Sequence, residues 1–286
     1  MRAIPTPRYD AQEVYQTCIN SIYNQNLRNR LNHVTNNIIG SAQEYVLKAT
    51  TKKLFSIPPN HQENNDFVIG EVTKKELQDV YSVHMVGRAK PARAIYDRLL
   101  SLAPLGRCPF CGMGYASTLD HYLPKSKYPL LSVLPLNLIP SCLDCNKEKH
   151  SDIARAEAEQ CLHPYFDHQH FIDHQWLFAG VTQTSPASIC FYVEPPAHWD
   201  QVSQERVKTH FNDFKLSGRF SIEASNQLAN LRYTLIQHHA QFGLYGVKNH
   251  LAIEAASHLI HHRNSWQTAM FQALAASDWY CDGGFN

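Results

Sequence analysis

The sequence predicts an α+β fold, mainly helical, in which a compact finger held by cysteines sits between helical regions and a small β-hairpin follows. Three observations predict it. Apolar residues recur at helical spacing behind capping residues on both flanks of the chain. Two Cys-x-x-Cys pairs, Cys108/Cys111 and Cys142/Cys145, bracket a middle segment with two β-prone stretches. Two further apolar, β-prone runs lie beyond residue 175, separated by Thr-Gln-Thr-Ser-Pro-Ala. At 286 residues, 44% of them hydrophobic, the chain is long enough to bury a sizeable core in one to three domains.

The N-terminal third reads as helices. Asp10-Ala-Gln-Glu13 resembles a capping box, followed by Val14, Cys18 and Ile22 at helical spacing. Leu31, Val34, Ile38 and Tyr45 mark a second helical stretch to about Leu54. Ile57–Asp66 holds Pro58-Pro59 and several Asn, and reads as a loop. Thr73-Lys-Lys-Glu76 is a capping box opening a helix through Met85. Another helix is expected from Pro91 to Leu102, with proline tolerated in the first turn.

The middle segment carries the chemistry. Each Cys-x-x-Cys can turn two thiolates onto one ion, and four soft ligands with no open position make a structural zinc site. The 30 residues between the two pairs exceed a simple ribbon, so an element must be inserted there. Ser117–Tyr122 reads as a strand ending in Asp120-His121, Leu136–Ser141 as a second strand, and Leu143–Arg155 as a helix. Neighbours in a strand point to opposite faces, so a bend near Pro124 is expected to bring Asp120 and His121 to one site. Asn146 and His150, four apart, share a helix face.

The pattern Asp-His, then Asn137, then Cys-x-x-Cys-Asn-x-x-Lys resembles the HNH endonuclease family, whose active site is a ββα-metal finger. The resemblance covers about 50 residues. It implies that His121 is the general base and that Asp120 ligates a catalytic divalent cation, Mg²⁺ or Mn²⁺. It implies that Asn137 holds the loop and orients His121, and that Asn146 is the helical metal ligand, with His150 one turn later as the other candidate. Lys125, Lys127, Lys147 and Lys149 flank the site and are candidates for holding phosphates. The expected domains are a helical region over 1–103, a zinc-bound nuclease core over 104–167, and a hairpin plus helices over 168–286. His163, after the finger, is expected to approach the site.

The wider layout, with His163-Pro-Tyr-Phe-Asp167 after the finger, also resembles the HNH effector subunits of Septu-type antiphage systems, including those attached to retrons. That resemblance implies a defence role and an ATPase partner that controls the nuclease. The chain carries no Walker A motif. The other function class is a non-catalytic zinc-knuckle module that binds nucleic acid or protein.

Beyond the finger, Trp176–Val181 and Ile189–Val193 predict a hairpin, and Arg206–Phe214 a short helix. Ile222–Phe242 and Val247–His262 predict two helices joined by Gly243–Gly246; Trp266–Ala276 predicts a last one, before an aromatic tail. His168, His170 and His174 match no firm ligand spacing. The net charge of +1 gives no global nucleic-acid signature. Residues 1–60, however, hold seven Lys/Arg against three Asp/Glu, so a local basic surface is expected. Nothing resembles a base-reading helix-turn-helix, so cleavage with little sequence preference is expected. No apolar run of 18 residues and no signal peptide appear, which predicts a cytoplasmic protein without membrane contact. Cys18, Cys161, Cys190 and Cys281 are expected to be buried thiols.

Overall fold

A computed structural model describes residues 1–149, 153–167 and 169–286. The fold is α+β and mainly helical, with three small two-stranded antiparallel sheets among the described residues. The chain divides into two compact units, residues 2–167 and residues 168–286 together with Met1.

In the first unit, α1 (Ala11–Asn20) starts where Asp10 accepts a hydrogen bond from the Glu13 amide at 3.0 Å. It buries Val14, Tyr15, Cys18 and Ile19. Full burial of each such side chain stabilises the fold by about 1.5–3 kcal/mol. The single helix expected from Leu31 to Leu54 is two, α2 (Gln25–His33) and α3 (Thr35–Thr50). Val34 leaves the helical region at φ −95°, ψ 6°, and its β-branched side chain is buried at the corner. A short hairpin, β1 (Phe67–Ile69) and β2 (Val72–Thr73), leads into α4 (Lys74–Ser82), where both halves of the Thr73/Glu76 capping box form. The next helix, α5 (Arg93–Leu100), is shorter than expected.

Strands β3 (Thr118–His121) and β4 (Leu138–Ser141) then pair antiparallel, with Asp120 opposite Ile139 and His121 opposite Leu138. Helix α6 follows directly, Leu143–Glu148. The helix expected through Arg155 is thus shorter. Lys149 turns out of the helical region at ψ 89°, and Ile153–Arg155 are not helical. One core joins α1 to α5 with Leu119, Val133 and Leu138, so the β3–β4 pair rests on helices that precede it in sequence.

In the second unit, a short helical turn α7 (His170–Asp173) precedes the expected hairpin, β5 (Leu177–Thr182) and β6 (Ser188–Val193). Asn264 staples this region. Its Oδ1 accepts from the Trp176 and Leu177 amides at 2.8 and 3.2 Å, and its Nδ2 donates to the His174 carbonyl at 2.8 Å. Helix α8 (Gln201–Asp213) begins earlier than expected because Asp200 caps the Ser203 amide at 2.9 Å. The two helices expected around Gly243–Gly246 form, one on each side of a kink at Gly243, and together make up α9 (Leu216–His261). Gly243 sits at φ 64°, ψ −162°, a conformation essentially reserved for glycine, and helical geometry resumes at once. Helix α10 (Trp266–Ala276) has the expected bounds, and the tail folds back with Tyr280, Cys281 and Phe285 buried. No helix of the described residues is long and apolar enough to cross a membrane.

Candidate metal centre and catalytic site

Cys108, Cys111, Cys142 and Cys145 converge from the two ends of the β3–β4–α6 segment, all buried, with their sulfurs within 4.8 Å of one another. Sulfurs at ~2.3 Å from a common tetrahedral ion lie about 3.8 Å apart. The Cys111 and Cys142 sulfurs are 3.8 Å apart. Burial pushes the Cys108 thiol up, so a buried thiolate cluster of this kind needs a cation to carry its charge. This four-cysteine cluster can hold a structural metal ion such as zinc. The backbone supports it. The Gly114 amide donates to Cys111 Sγ at 3.4 Å, and the Cys145 amide donates to Cys142 Sγ, also at 3.4 Å, at the start of α6. A methyl group on Gly114 would approach Cys142 Cβ to 2.7 Å and Sγ to 2.8 Å, so the close approach of the two arms requires glycine there. Of the four scattered cysteines, Cys18, Cys161 and Cys281 are buried as expected, whereas Cys190 on β6 is exposed, since alternate residues of a hairpin face outward.

Asp120 and His121 lie at the C-terminal end of β3. His121 is buried, and its Nε2 is 2.7 Å from the Ser132 carbonyl. A carbonyl only accepts, so Nε2 carries the proton, and the lone pair of the neutral ring resides on Nδ1. Burial lowers the His121 pKa to about 3, with Lys125 and Lys149 pushing the same way, so the ring is neutral near pH 7. Helix α4 sets the ring's position twice. The Tyr81 ring meets it edge-on at 4.4 Å, and Ser132 Oγ donates to the Leu77 carbonyl at 2.8 Å. Tyr81 itself is tied to β3 by a 3.1 Å bond from its hydroxyl to the Leu119 carbonyl.

Asp120 is buried and its carboxyl is raised above the usual range by that burial, opposed by Lys149. Lys149 Nζ lies 3.1 Å from Asp120 Oδ2 and donates to the His121 carbonyl at 2.7 Å. Lys149 therefore does not lie open on the surface; its ammonium is buried against the rings of Tyr122 and Phe110. Asn146, half-buried on α6, donates to Thr118 Oγ1 at 3.5 Å. Thr118 and Asp120 are two apart in a strand and share a face, so Asn146 lies on the Asp120 side of β3. His150 lies outside the described residues.

Asn137 is fully buried and works on the loop. Its Oδ1 accepts from the Leu123 amide at 2.7 Å, and its Nδ2 donates to the carbonyls of Leu123 at 3.0 Å and Leu131 at 3.3 Å. It closes the loop that carries Ser132, and so acts on His121 through Ser132 rather than by touching the ring. Lys125 Nζ bonds Ser82 Oγ at 2.8 Å over the Tyr81 ring, within electrostatic reach of His121. Lys127 lines a cleft of about 700 Å³ with Asn60, His61 and Tyr128, and Lys147 is exposed on α6.

His163 stacks on Tyr122 at 4.1 Å. Its Nδ1 accepts from the Tyr165 amide at 3.1 Å, so Nε2 bears the proton and donates to Tyr45 Oη at 3.0 Å. Tyr45 in turn donates to the Leu136 carbonyl at 3.2 Å, and Tyr165 Oη donates to the Leu138 carbonyl at 2.9 Å. The His-Pro-Tyr-Phe-Asp stretch thus braces the start of β4. Sequence reasoning missed Tyr81, Ser132 and Tyr45. Only the spacing of Tyr81 behind the Thr73 cap hinted that it faces inward.

The sequence is 33% identical to "Protein ea31" of Escherichia phage lambda over 293 aligned positions, covering 97% of this chain and 98% of that one. No family model matches the chain, and no solved structure matches it.

Proposed function

The chain belongs to the family of phage lambda protein ea31, and we propose that it is a metal-dependent endonuclease of the HNH type. The observation that carries the reading is the His121 tautomer: Nε2–H is spent on the Ser132 carbonyl, which leaves the lone pair of a neutral ring on Nδ1, and the preceding strand residue is the buried carboxylate Asp120. Strand, strand and helix follow one another in the order of a ββα finger, with the four-cysteine cluster tying its ends. In this reading Nδ1 takes a proton from water as the water oxygen bonds to phosphorus. The bond from phosphorus to the 3′ oxygen breaks, and that oxygen takes up a proton from solvent water, giving a 5′-phosphate and a 3′-hydroxyl. Asp120 and Asn146 offer hard oxygen donors, which fit Mg²⁺ or Mn²⁺. Such an ion, when bound, supplies charge neutralisation at the phosphate and the leaving oxygen. Lys125 and Lys149 both bring positive charge within reach of His121, and Lys127 and Lys147 are the further candidates for contacts to the nucleic-acid backbone. Zinc at the four cysteines is structural.

The role proposed with this activity is a cytoplasmic nuclease effector in antiphage defence, controlled by an ATPase partner, with DNA or RNA as substrate. One observation favours the second reading, a non-catalytic zinc module. Asp120 is held in a buried pair with Lys149, as a purely structural carboxylate would be. Cleavage of plasmid DNA and total RNA in Mg²⁺ or Mn²⁺ by wild type and His121→Ala separates the two. Cutting lost in the variant supports the nuclease. Function retained in His121→Ala, or silence even beside the partner, supports the module.

A further inference from the structure

The C-terminal part of α9, residues 244–261, has two faces that avoid charge, and only one is buried. Val247, Leu251 and Ala255 face the core of their unit. On the other side Tyr245, Asn249, Ala252, Ile253, Ala256 and Ile260 are all exposed. Tyr245, Ile253 and Ile260 keep 81%, 60% and 89% of their surface in solvent. At 3.6 residues per turn these six positions fall within a stripe about 100° wide and about 22 Å long. That is the width of a core-facing stripe, set on the solvent side and without a charged residue in it. Scattered exposed apolar residues are ordinary; a contiguous stripe of this kind marks an interaction surface.

We propose that this stripe is a homodimer interface, occupied by the same stripe of a second copy running antiparallel. The stripe is its own complement. A two-fold axis between positions 252 and 253 sets Tyr245 opposite Ile260 of the second copy, Asn249 opposite Ala256, and Ala252 opposite Ile253. Each larger residue of the two inner pairs then meets a small one, which lets two helices approach to the usual 8–10 Å. The same patch on both copies is what a two-fold dimer requires, and the absence of charge means that no like charges meet across the axis. The six side chains offer on the order of 500 Å² per copy, against roughly 800 Å² per partner in a standard interface. Phe242, 63% exposed just before the Gly243 break, extends the patch at its edge.

The test is the mass of the full zinc-loaded chain by sedimentation across concentrations, for wild type, Ile253→Glu, Ala252→Lys, and the two variants mixed. Both positions are exposed in the single chain, so helix content by circular dichroism should not change. The wild type is expected to dimerise. Ile253→Glu should raise the dissociation constant by about 100-fold or more, because a charge is buried without a partner at the centre of the patch. The mixture should recover a dimer, because position 252 faces position 253 of the second copy. A wild type that stays monomeric to about 100 µM, a tenth of the millimolar dissociation range, overturns the proposal and leaves the stripe to a different partner. A dimer that survives Ile253→Glu, or a mixture that fails to pair, overturns it as well.

Discussion

Asn137→Ala is the perturbation that most sharply tests how the loop before β4 is held. The wild-type side chain is fully buried and makes three bonds, at 2.7, 3.0 and 3.3 Å, to the Leu123 amide and to the Leu123 and Leu131 carbonyls. Truncation leaves the Leu123 amide without its acceptor, at about 1–3 kcal/mol, and each carbonyl bond removed adds about 0.5–1.5 kcal/mol. The sum is about 2–6 kcal/mol, with about 4 kcal/mol at the midpoints, a large part of a typical 5–15 kcal/mol stability. At about 2–4 °C per kcal/mol for a unit of this size, Tm should fall by roughly 10 °C. Asn137→Asp should do no better than alanine. It keeps the acceptor for Leu123 but loses both donors and buries a charge against two carbonyls. The assay is urea and thermal unfolding of zinc-loaded protein. A loss below about 1 kcal/mol for Asn137→Ala would show that the loop is held by other bonds and would refute the reasoning.

Lys149→Met strands the buried Asp120 carboxylate and should destabilise by about 3–5 kcal/mol, whereas the double change with Asp120→Asn should recover much of that; a double-mutant cycle with no coupling contradicts the pair. Gly114→Ala forces the two cysteine arms apart and should weaken metal retention, read as faster zinc release to a chelator; unchanged release contradicts the close approach. Tyr45→Phe removes the hydroxyl between His163 and the Leu136 carbonyl and should cost about 1–3 kcal/mol in urea unfolding, and an effect within error contradicts the relay. His84 is lowered by burial and by Lys90, so its folded-state pKa lies below its unfolded one. Its contribution is whole above pH 6.5 and is lost as pH falls below that value; being partly exposed, it should stay well under the ~1.4 kcal/mol per pH unit of a single proton. His84→Gln should flatten that slope between pH 6.5 and 5, and an unchanged slope assigns the loss to other groups.

Much of this fold was legible in the sequence because its signals are local. The Thr73/Glu76 box and the Asp10 cap declare themselves within four residues, and the β5 and β6 runs are apolar, β-prone stretches on either side of a turn-rich segment. Cysteine spacing alone suffices to bring four thiols together. What was not legible depends on contacts distant in sequence. The Ser132 carbonyl that fixes the His121 tautomer belongs to a residue with no special composition, and α4 holds it from 55 positions away. The ion pair of Lys149 with Asp120 was not legible either, because only the folded chain brings its ammonium to that carboxylate and to the Tyr122 and Phe110 rings. The early end of α6 was hidden for the same reason, since the helical pattern runs on past the point where Lys149 turns back to Asp120.

The central claim is that His121 is the base of a phosphodiester hydrolase. The most direct measurement is cleavage of plasmid DNA and total RNA by zinc-loaded wild type and His121→Ala, each alone and beside the proposed ATPase partner, with Mg²⁺ or Mn²⁺ added or chelated. The account predicts cutting that needs the added ion and falls by at least the ~100-fold typical of losing a general base when His121 is alanine. Cutting undiminished in a folded His121→Ala protein, or none by wild type under any of these conditions, contradicts it.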